Sequence, residues 1–241
     1  MEPAAKMKNI NVSFELLSNI VWQRLLDSSA YKAHYQKSDF FKKIDSLEEL
    51  RKHADYNTGS ISSSSAWLLY SAAHYFCPTK IIEVGTFIGK STLSIAFGAE
   101  NAPAECEIHT CDNSNDIDLP ALSRTKIVQY KKSTSTDMFR KISGSHQAQQ
   151  FDFMHLDGRL QPEDFSLLQK LLHPDAVIAL DDFEGIEKGV TNLIKLRENK
   201  LLTSHIVVYP CSKDLLSAHH LVDRSTTALL IPSRMLQLTA Q

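Results

Sequence analysis

An alternation of short apolar runs and amphipathic stretches between residues 80 and 199 constrains the fold most strongly. Five runs are predicted as strands: KIIEVG (80–85), EIHTCD (107–112), TKIVQYK (125–131), FDFMHLD (151–157) and AVIALD (176–181). Four stretches are predicted as helices: KSTLSIAFGA (90–99), STDMFRKI (135–142), PEDFSLLQKLL (162–172) and EKGVTNLIKLREN (187–199). Strands that alternate with helices in this way indicate a doubly wound, mostly parallel α/β sheet.

The two ends of the chain extend this pattern. HIVVYP (205–210) and TTALLIP (226–232) are predicted as two late strands with no clear helix directly between them. They bring the sheet to seven strands and indicate an antiparallel C-terminal hairpin at its edge. Residues 12–76 look helical, and Leu17, Ile20, Val21 and Leu25 fall on one face of LLSNIVWQRLL (16–26). We therefore expect an N-terminal helical cap over residues 1–77 and an α/β domain over residues 78–241.

Composition excludes several classes of protein. The 241 residues carry a net charge of -2 and no basic stripe, which argues against a nucleic-acid binder. No run of about 18 apolar residues predicts a transmembrane helix, and the first residues lack the pattern of a signal peptide. The four cysteines have neither zinc-site nor disulfide-framework spacing. We expect a cytoplasmic, reduced protein that does not bind membranes or nucleic acid.

Acidic residues stand at the ends of four predicted strands: Glu83, Asp112, Asp157 and Asp181. In open α/β sheets, ligands bind at the carboxyl ends of the strands. One such acid is an ordinary turn residue, but four on one rim predict an active site.

The loop after the first strand, EVGTFIGKST (83–92), allows more than one interpretation. A P-loop requires four residues between its glycines, and here only three separate Gly85 from Gly89. A P-loop-like NTPase stays an alternative, because FMHLD and IALDD resemble the apolar runs that end in a magnesium-binding Asp. The dinucleotide fingerprint fails, because its second glycine is replaced by Phe87.

Three segments together resemble class I S-adenosylmethionine (SAM)-dependent methyltransferases, in the form seen in catechol and caffeoyl-CoA O-methyltransferases. They are EVGTFIGKS (83–91), FDFMHLDG (151–158) and LLHPDAVIALDD (171–182), and the similarity spans roughly residues 55–185. The resemblance implies a Rossmann-like fold, SAM as cofactor and methyl transfer to a hydroxyl of a small molecule. It also implies a homodimer as the expected assembly.

The resemblance assigns cofactor binding to Asn57, Gly59, Glu83, Gly85, Thr86, Phe87, Gly89, Ser91, Asp112, Ser135, Thr136, Asp157 and Arg159. The glycines let the backbone approach the methionine part of SAM, whose carboxylate would face a helix N-terminus and the Ser91 hydroxyl. Glu83 would lie under the amino group or orient the loop, and Asp112 would accept both ribose hydroxyls.

The other assigned residues lie around the two ends of SAM. Ser135 and Thr136 would contact the adenine. Arg159 would cover the adenine or grip an anionic substrate. Asn57 and Gly59 would close over the methionine end. Helix capping is the alternative for the serines, and a plain turn is the alternative for Asn57 and Gly59.

Asp157, Asp181 and Asp182 match the positions at which some relatives hold a divalent cation, and we expect them to be catalytic. Oxygen-only ligands favour Mg²⁺, with Mn²⁺ or Ca²⁺ as alternatives. Such a metal would grip a substrate hydroxyl and lower its pKa.

The general base cannot be transferred from the resemblance, because Leu160 stands where catechol-type enzymes carry a lysine and Arg159 where some sugar methyltransferases carry an acid. Asp181, Asp182 or the metal alone would serve instead, and His155 is interpreted as a core histidine. A metal-independent N-methyltransferase and a non-catalytic SAM-binding protein are the remaining alternatives.

Overall fold

The computed structural model describes residues 3–32, 36–54, 59–113, 117–145 and 148–237. Its α-helices are α1 (Pro3–Lys32), α2 (Lys37–Ser46), α3 (Ser63–Phe76), α4 (Lys90–Ala99), α5 (Ser135–Ser145), α6 (Asp164–Leu171), α7 (Gly189–Glu198), α8 (Lys213–Ala218) and α9 (Ser233–Gln237). A 3-10 helix covers Leu47–His53. The strands are β1 (Lys80–Val84), β2 (Cys106–Asp112), β3 (Thr125–Lys131), β4 (Phe151–Leu156), β5 (Leu172–Leu180), β6 (His205–Val208) and β7 (Ala228–Pro232). Within these ranges, no helix has both the length and the apolarity needed to cross a membrane.

The strands form one seven-stranded sheet in the order β3-β2-β1-β4-β5-β7-β6. Strands β1 to β5 pair in parallel, and β7 is antiparallel to both β5 and β6. The predicted Rossmann-like sheet with an antiparallel C-terminal pair is confirmed. The connection between the last two strands differs from the prediction, because helix α8 lies between β6 and β7 in the chain. In the sheet, β7 lies between β5 and β6. Six residues of helix give too little periodicity to be recognised in the sequence.

Alternate residues of the central strands enter two apolar cores, one on each face of the sheet. On one face Ile81, Phe153 and Ala179 pack with the apolar residues of α3 and α4. On the other face Ile82 and Met154 pack with those of α5, α6 and α7. Burial on both faces explains why the central strands are almost continuously apolar.

The N-terminal helix α1 is fastened to the end of β6. The indole Nε1 of Trp22 donates to the carbonyl oxygen of Tyr209 over 2.8 Å, and the Ser18 hydroxyl accepts from the Tyr209 backbone N–H over 2.9 Å. Val21 and Leu25 are buried as predicted, but Ile20 is 57% exposed. Trp22 is fully buried instead, so the buried face of α1 includes Trp22 and not Ile20.

The boundary between cap and α/β domain stays a prediction. Helix α3 contributes to the same apolar core as the sheet, so the two predicted parts share buried surface. The spacing of Ser46 and Glu49 before LEELRKHA predicts a capping box at the start of an α-helix, and this prediction is wrong. The Ser46 hydroxyl donates back to the carbonyl oxygen of Lys43 over 2.7 Å, and the following segment is a 3-10 helix.

Candidate active site

The carboxyl ends of β1, β2, β4 and β5 meet at one edge of the sheet, as the strand-end acids predicted. Backbone hydrogen bonds continue the parallel register past the last strand residues. The N–H of Gly85 donates to Cys111, that of Asp157 to Val84 and that of Asp181 to Leu156, each over 3.0 Å. The loops that follow these strands therefore leave the sheet side by side.

A cleft of about 450 Å³ opens at this edge. Its lining includes the predicted residues Gly85, Asp112, Ser135, Asp157 and Arg159. A volume of this size is typical of small-molecule sites. The cleft thus joins predicted residues from several separate parts of the chain.

Gly85 allows the loop after β1 to lie against the loop after β4. Its φ is +105°, and a Cβ at this position would lie 3.2 Å from the backbone carbon of Asp157. Any other side chain would be strained in conformation and crowded against that neighbour. Gly85 therefore permits the close approach of two loops that line the cleft.

Hydrogen bonds hold the rest of the loop between β1 and α4. The Thr86 and Thr110 hydroxyls lie 2.5 Å apart, and the Phe87 backbone N–H donates to Oδ2 of Asp112 over 2.9 Å. Gly89 precedes α4, and its N–H donates to the Thr86 carbonyl oxygen over 2.7 Å. Asp112, the predicted ribose acceptor, therefore also fixes the loop that leads into α4.

Ser91 lies in the first turn of α4 and is buried. It lines a second cavity of about 10 Å³ that also includes Ser60 and Ile61 and that shares Gly85 and Asp157 with the cleft. The cleft and this small cavity therefore adjoin at Gly85 and Asp157.

Glu83 is fully buried and already paired inside the protein. Its carboxylate accepts from Thr92 over 2.5 Å and from Thr110 over 2.6 Å, and lies 3.0 Å from Nδ1 of His155. Burial acts to raise the pKa of Glu83, but His155 and the two hydroxyls outweigh it and lower that pKa. Of its two predicted roles, these contacts favour orientation of the loop over contact with a ligand.

His155 is completely buried, in agreement with its interpretation as a core histidine. Burial acts to lower its pKa, but the Glu83 carboxylate outweighs burial and raises it.

Ser135 and Thr136 point to a residue that the sequence analysis missed. Their hydroxyls each donate to the carboxylate of Asp164 over 2.6 Å, and the Gln161 N–H donates to it over 2.8 Å. Asp164 is fully buried at the start of α6. In the sequence it was interpreted only as an acid in the first turn of a helix, and no local motif distinguishes it from an exposed one.

The remaining predicted residues lie at the periphery. Asn57 falls outside the described residues. Gly59 is exposed, and a Cβ there would meet nothing within 4 Å. The exposed Arg159 side chain lies 3.7 Å from the Glu187 carboxylate. The positions of Gly59 and Arg159 neither support nor contradict their predicted roles in cofactor binding.

Lys188 occupies the position expected for the metal. Its Nζ lies 3.1 Å from Oδ1 of Asp157 and 2.8 Å from Oδ2 of Asp182. Burial acts to lower the pKa of Lys188, but Asp157 and Asp182 outweigh it and raise that pKa. No motif in the sequence marks Lys188, which is one of two lysines in the predicted helix at 187–199.

The pKa of Asp157 lies above its ordinary value even though Lys188 pairs with its carboxylate. Burial, with the neighbouring Asp181 carboxylate, raises the pKa of Asp157 to about 6, against the opposing effect of Lys188.

Two threonine hydroxyls engage the Asp181 carboxylate. Its Oδ1 accepts from the Thr226 hydroxyl over 3.1 Å and from the Thr227 hydroxyl over 2.8 Å. Over the described part of the chain, no group of three His, Cys, Asp or Glu side chains is arranged to hold a metal ion. The residues present therefore do not fit the predicted metal centre, because a lysine and two threonines engage its three carboxylates.

Part of the chain is similar to a known protein family. Residues 82–183 match a family model described as a methyltransferase domain. The match covers the loop after β1 and the strands that carry Asp112, Asp157 and Asp181, and it argues against the P-loop-like interpretation. No match to a curated protein was found.

Solved structures share the fold at low sequence identity. One is the O-methyltransferase TomG from Streptomyces achromogenes, solved with SAM, which is 15% identical to this chain with a TM-score of 0.53. The aligned region covers 85% of this chain and 93% of TomG. Another is an O-methyltransferase from Bacillus cereus, solved with S-adenosylhomocysteine (SAH), which is 16% identical to this chain with a TM-score of 0.54. The aligned region covers 84% of this chain and 94% of the Bacillus cereus enzyme.

Proposed function

We propose that this protein, which matches a methyltransferase-domain model over residues 82–183, is a class I SAM-dependent methyltransferase that moves a methyl group from SAM to a hydroxyl of a small molecule. The observation that carries the proposal is the cleft at the strand ends, where Gly85, Asp112 and Asp157 come together. The SAM and SAH bound to the two structural neighbours support the same cofactor here.

The adenosine part of SAM is proposed to lie in the cleft, with the ribose hydroxyls donating to Asp112. This carboxylate reaches the cleft from the end of β2, which is a position that suits a ribose in this class of fold. Ser135 lines the same cleft, but its hydroxyl donates to Asp164. We therefore assign Ser135 and Thr136 to shaping the adenine wall through α5 and α6.

The methionine part is proposed to lie beyond Gly85, towards the N-terminus of α4, where helix N–H groups favour a carboxylate. The cavity there is only about 10 Å³ in volume. Arg51 donates to the Ser60 hydroxyl over 3.1 Å, and Glu48 lies 2.5 Å from Nζ of Lys90. Binding of SAM therefore requires the segment around Ser60 to move outwards from the loop after β1.

Methyl transfer needs alignment of an acceptor oxygen with the methyl group and removal of one proton. The acceptor oxygen forms a bond to the methyl carbon while the carbon–sulfur bond breaks, and the sulfonium leaves as the neutral thioether of SAH. We assign the hydroxyl proton to Asp157, which lines the cleft and the small cavity alike. Asp181 and Asp182 would act on Asp157 through charge and through the Lys188 contact.

The net charge of -2 and the lack of a basic stripe in the sequence favour a small acceptor over a nucleic acid. We keep the homodimer and the cytoplasmic location as parts of the proposal. Light scattering on the purified protein tests the dimer directly.

The proposal is tested by analysing the ligand that co-purifies with the protein and by a transfer assay. Mass spectrometry of the denatured protein is expected to detect SAM or SAH. Incubation with SAM and a panel of catechol, phenol, sugar and amine acceptors is expected to yield SAH with a hydroxylated acceptor. Binding of SAM without SAH formation from any acceptor would favour the non-catalytic alternative, and turnover with amines alone would favour N-methylation.

A further inference from the structure

Lys188 stands between two carboxylates at the point where the acidic rim needs a positive charge. Its Nζ contacts Asp157 and Asp182 within hydrogen-bond distance, and its side chain is 34% exposed. Three carboxylates on neighbouring loops would repel one another strongly without a cation. The ammonium group supplies that charge from within the chain.

The local backbone is shaped to bring Lys188 into this position. Asp182 adopts a left-handed conformation with φ of 51°, which turns the chain sharply after β5. Gly189 then packs against that turn, and a Cβ at Gly189 would lie 2.5 Å from the Asp181 carbonyl oxygen. A larger residue there would push the start of α7, and Lys188 with it, away from the acids.

A divalent cation and the Lys188 ammonium cannot occupy this point together. A metal needs carboxylate oxygens at about 2.0–2.6 Å, and Lys188 already engages one oxygen of each of Asp157 and Asp182. The third expected ligand, Asp181, is directed towards Thr226 and Thr227. The rim is therefore organised for one fixed organic cation.

We propose that Lys188 is a positioning residue that takes the place of a divalent metal, holding Asp157 and Asp182 beside the acceptor and making methyl transfer independent of metal. This inference rests on the proposed function for its catalytic part. Its structural part, the exclusion of a metal by Lys188, can be measured without any turnover.

The test compares Mn²⁺ binding to chelator-treated wild type, Lys188→Met and Lys188→Arg by calorimetry. Removal of the ammonium is expected to tighten Mn²⁺ binding at least ~10-fold, because the Asp157 and Asp182 carboxylates are then no longer paired with Lys188. Lys188→Arg keeps the charge and is expected to behave like wild type. Lys188→Gln gives the same loss of charge if thermal denaturation shows that Lys188→Met is unfolded.

Turnover gives a second readout. Wild-type kcat is expected to be unchanged in EDTA, whereas Lys188→Met is expected to lose kcat with little change in the KM for SAM. Equal Mn²⁺ affinity in wild type and Lys188→Met, whether measurable or absent, would overturn the inference. Loss of wild-type turnover in EDTA with recovery in Mg²⁺ would overturn it too. Failure to bind SAM in the same samples would count against the proposed function, while the Mn²⁺ comparison would still decide the role of Lys188.

Discussion

Oδ1 of Asp157 lies 3.1 Å from Nζ of Lys188, and this contact links the loop after β4 to the N-terminus of α7. Five residues, 183–187, lie between Asp182 and Lys188, so the lysine follows Asp182 in the loop after β5. Both acids at the end of the apolar run AVIALDD also have partners. Lys188 lies 2.8 Å from Oδ2 of Asp182, and the Thr226 and Thr227 hydroxyls donate to Oδ1 of Asp181.

Asp157→Asn is predicted to lower kcat by roughly 100-fold or more, because it removes the proposed proton acceptor. SAM affinity is expected to stay within a few-fold of wild type, since the amide keeps the size of the side chain. Turnover and calorimetric titration measure the two quantities separately. The exposed Asp223→Asn is the matched control, and similar kcat values in both variants would reject Asp157 as the base.

Asp112→Ala is predicted to weaken SAM binding by ~10-fold or more, because a ribose hydroxyl pair and the Phe87 N–H lose their acceptor. The dissociation constant for SAM is measured by calorimetry. Asp118→Ala, which removes an exposed acid that pairs with Lys131, is the control and is expected to leave it unchanged. An unchanged constant in Asp112→Ala would place the ribose elsewhere.

Asp164→Ala is predicted to lower the free energy of unfolding by about 2–4 kcal/mol, because the buried Ser135 and Thr136 hydroxyls lose their shared acceptor. The exposed Asp137→Ala on α5 is expected to cost about 1 kcal/mol or less. Urea denaturation of both variants measures the difference. Equal losses would mean that the buried network contributes little.

Glu48→Gln is predicted to reduce stability at neutral pH and not in strong acid. The hydrogen bond from Arg51 and the Lys90 ammonium lower the pKa of Glu48 to about 2. Because the folded-state value lies below the unfolded value of about 4.3, its contribution is present above about pH 4.3 and is lost as the pH falls towards about 2.

The melting-temperature difference between wild type and Glu48→Gln measures this contribution across that pH range. It is expected to shrink as the pH falls. Glu49→Gln, whose partner Lys52 is exposed, is the control and is expected to show little difference at either end. A difference for Glu48→Gln that grows in acid would contradict the assignment.

The sheet could be predicted from the sequence because its strands are buried on both faces and bounded by turn residues. Helix α4 and strand β3 have the predicted bounds of residues 90–99 and 125–131. Short elements without a full period, such as α8, could not be found. The 3-10 helix Leu47–His53 was mistaken for a capped α-helix, since its apolar spacing fits both.

The rim of the site could be predicted from acids at strand ends, because parallel strands bring those ends together. The partners of these acids could not, because they depend on side chains from distant or unmarked positions. Thr226 and Thr227 reach Asp181 from the segment before β7, and Asp164 reaches Ser135 from α6. No spacing in the sequence connects these pairs.

Calorimetric titration of the purified, ligand-free protein with SAM tests the central claim most directly, with ATP as the competing ligand and Gly85→Val as the matched variant. We predict one SAM site per chain, no binding of ATP, and loss of SAM binding when a branched side chain fills the space beside Asp157. Absence of saturable SAM binding to the folded wild type, or tight binding of ATP in its place, would contradict the assignment of this protein as a SAM-dependent methyltransferase.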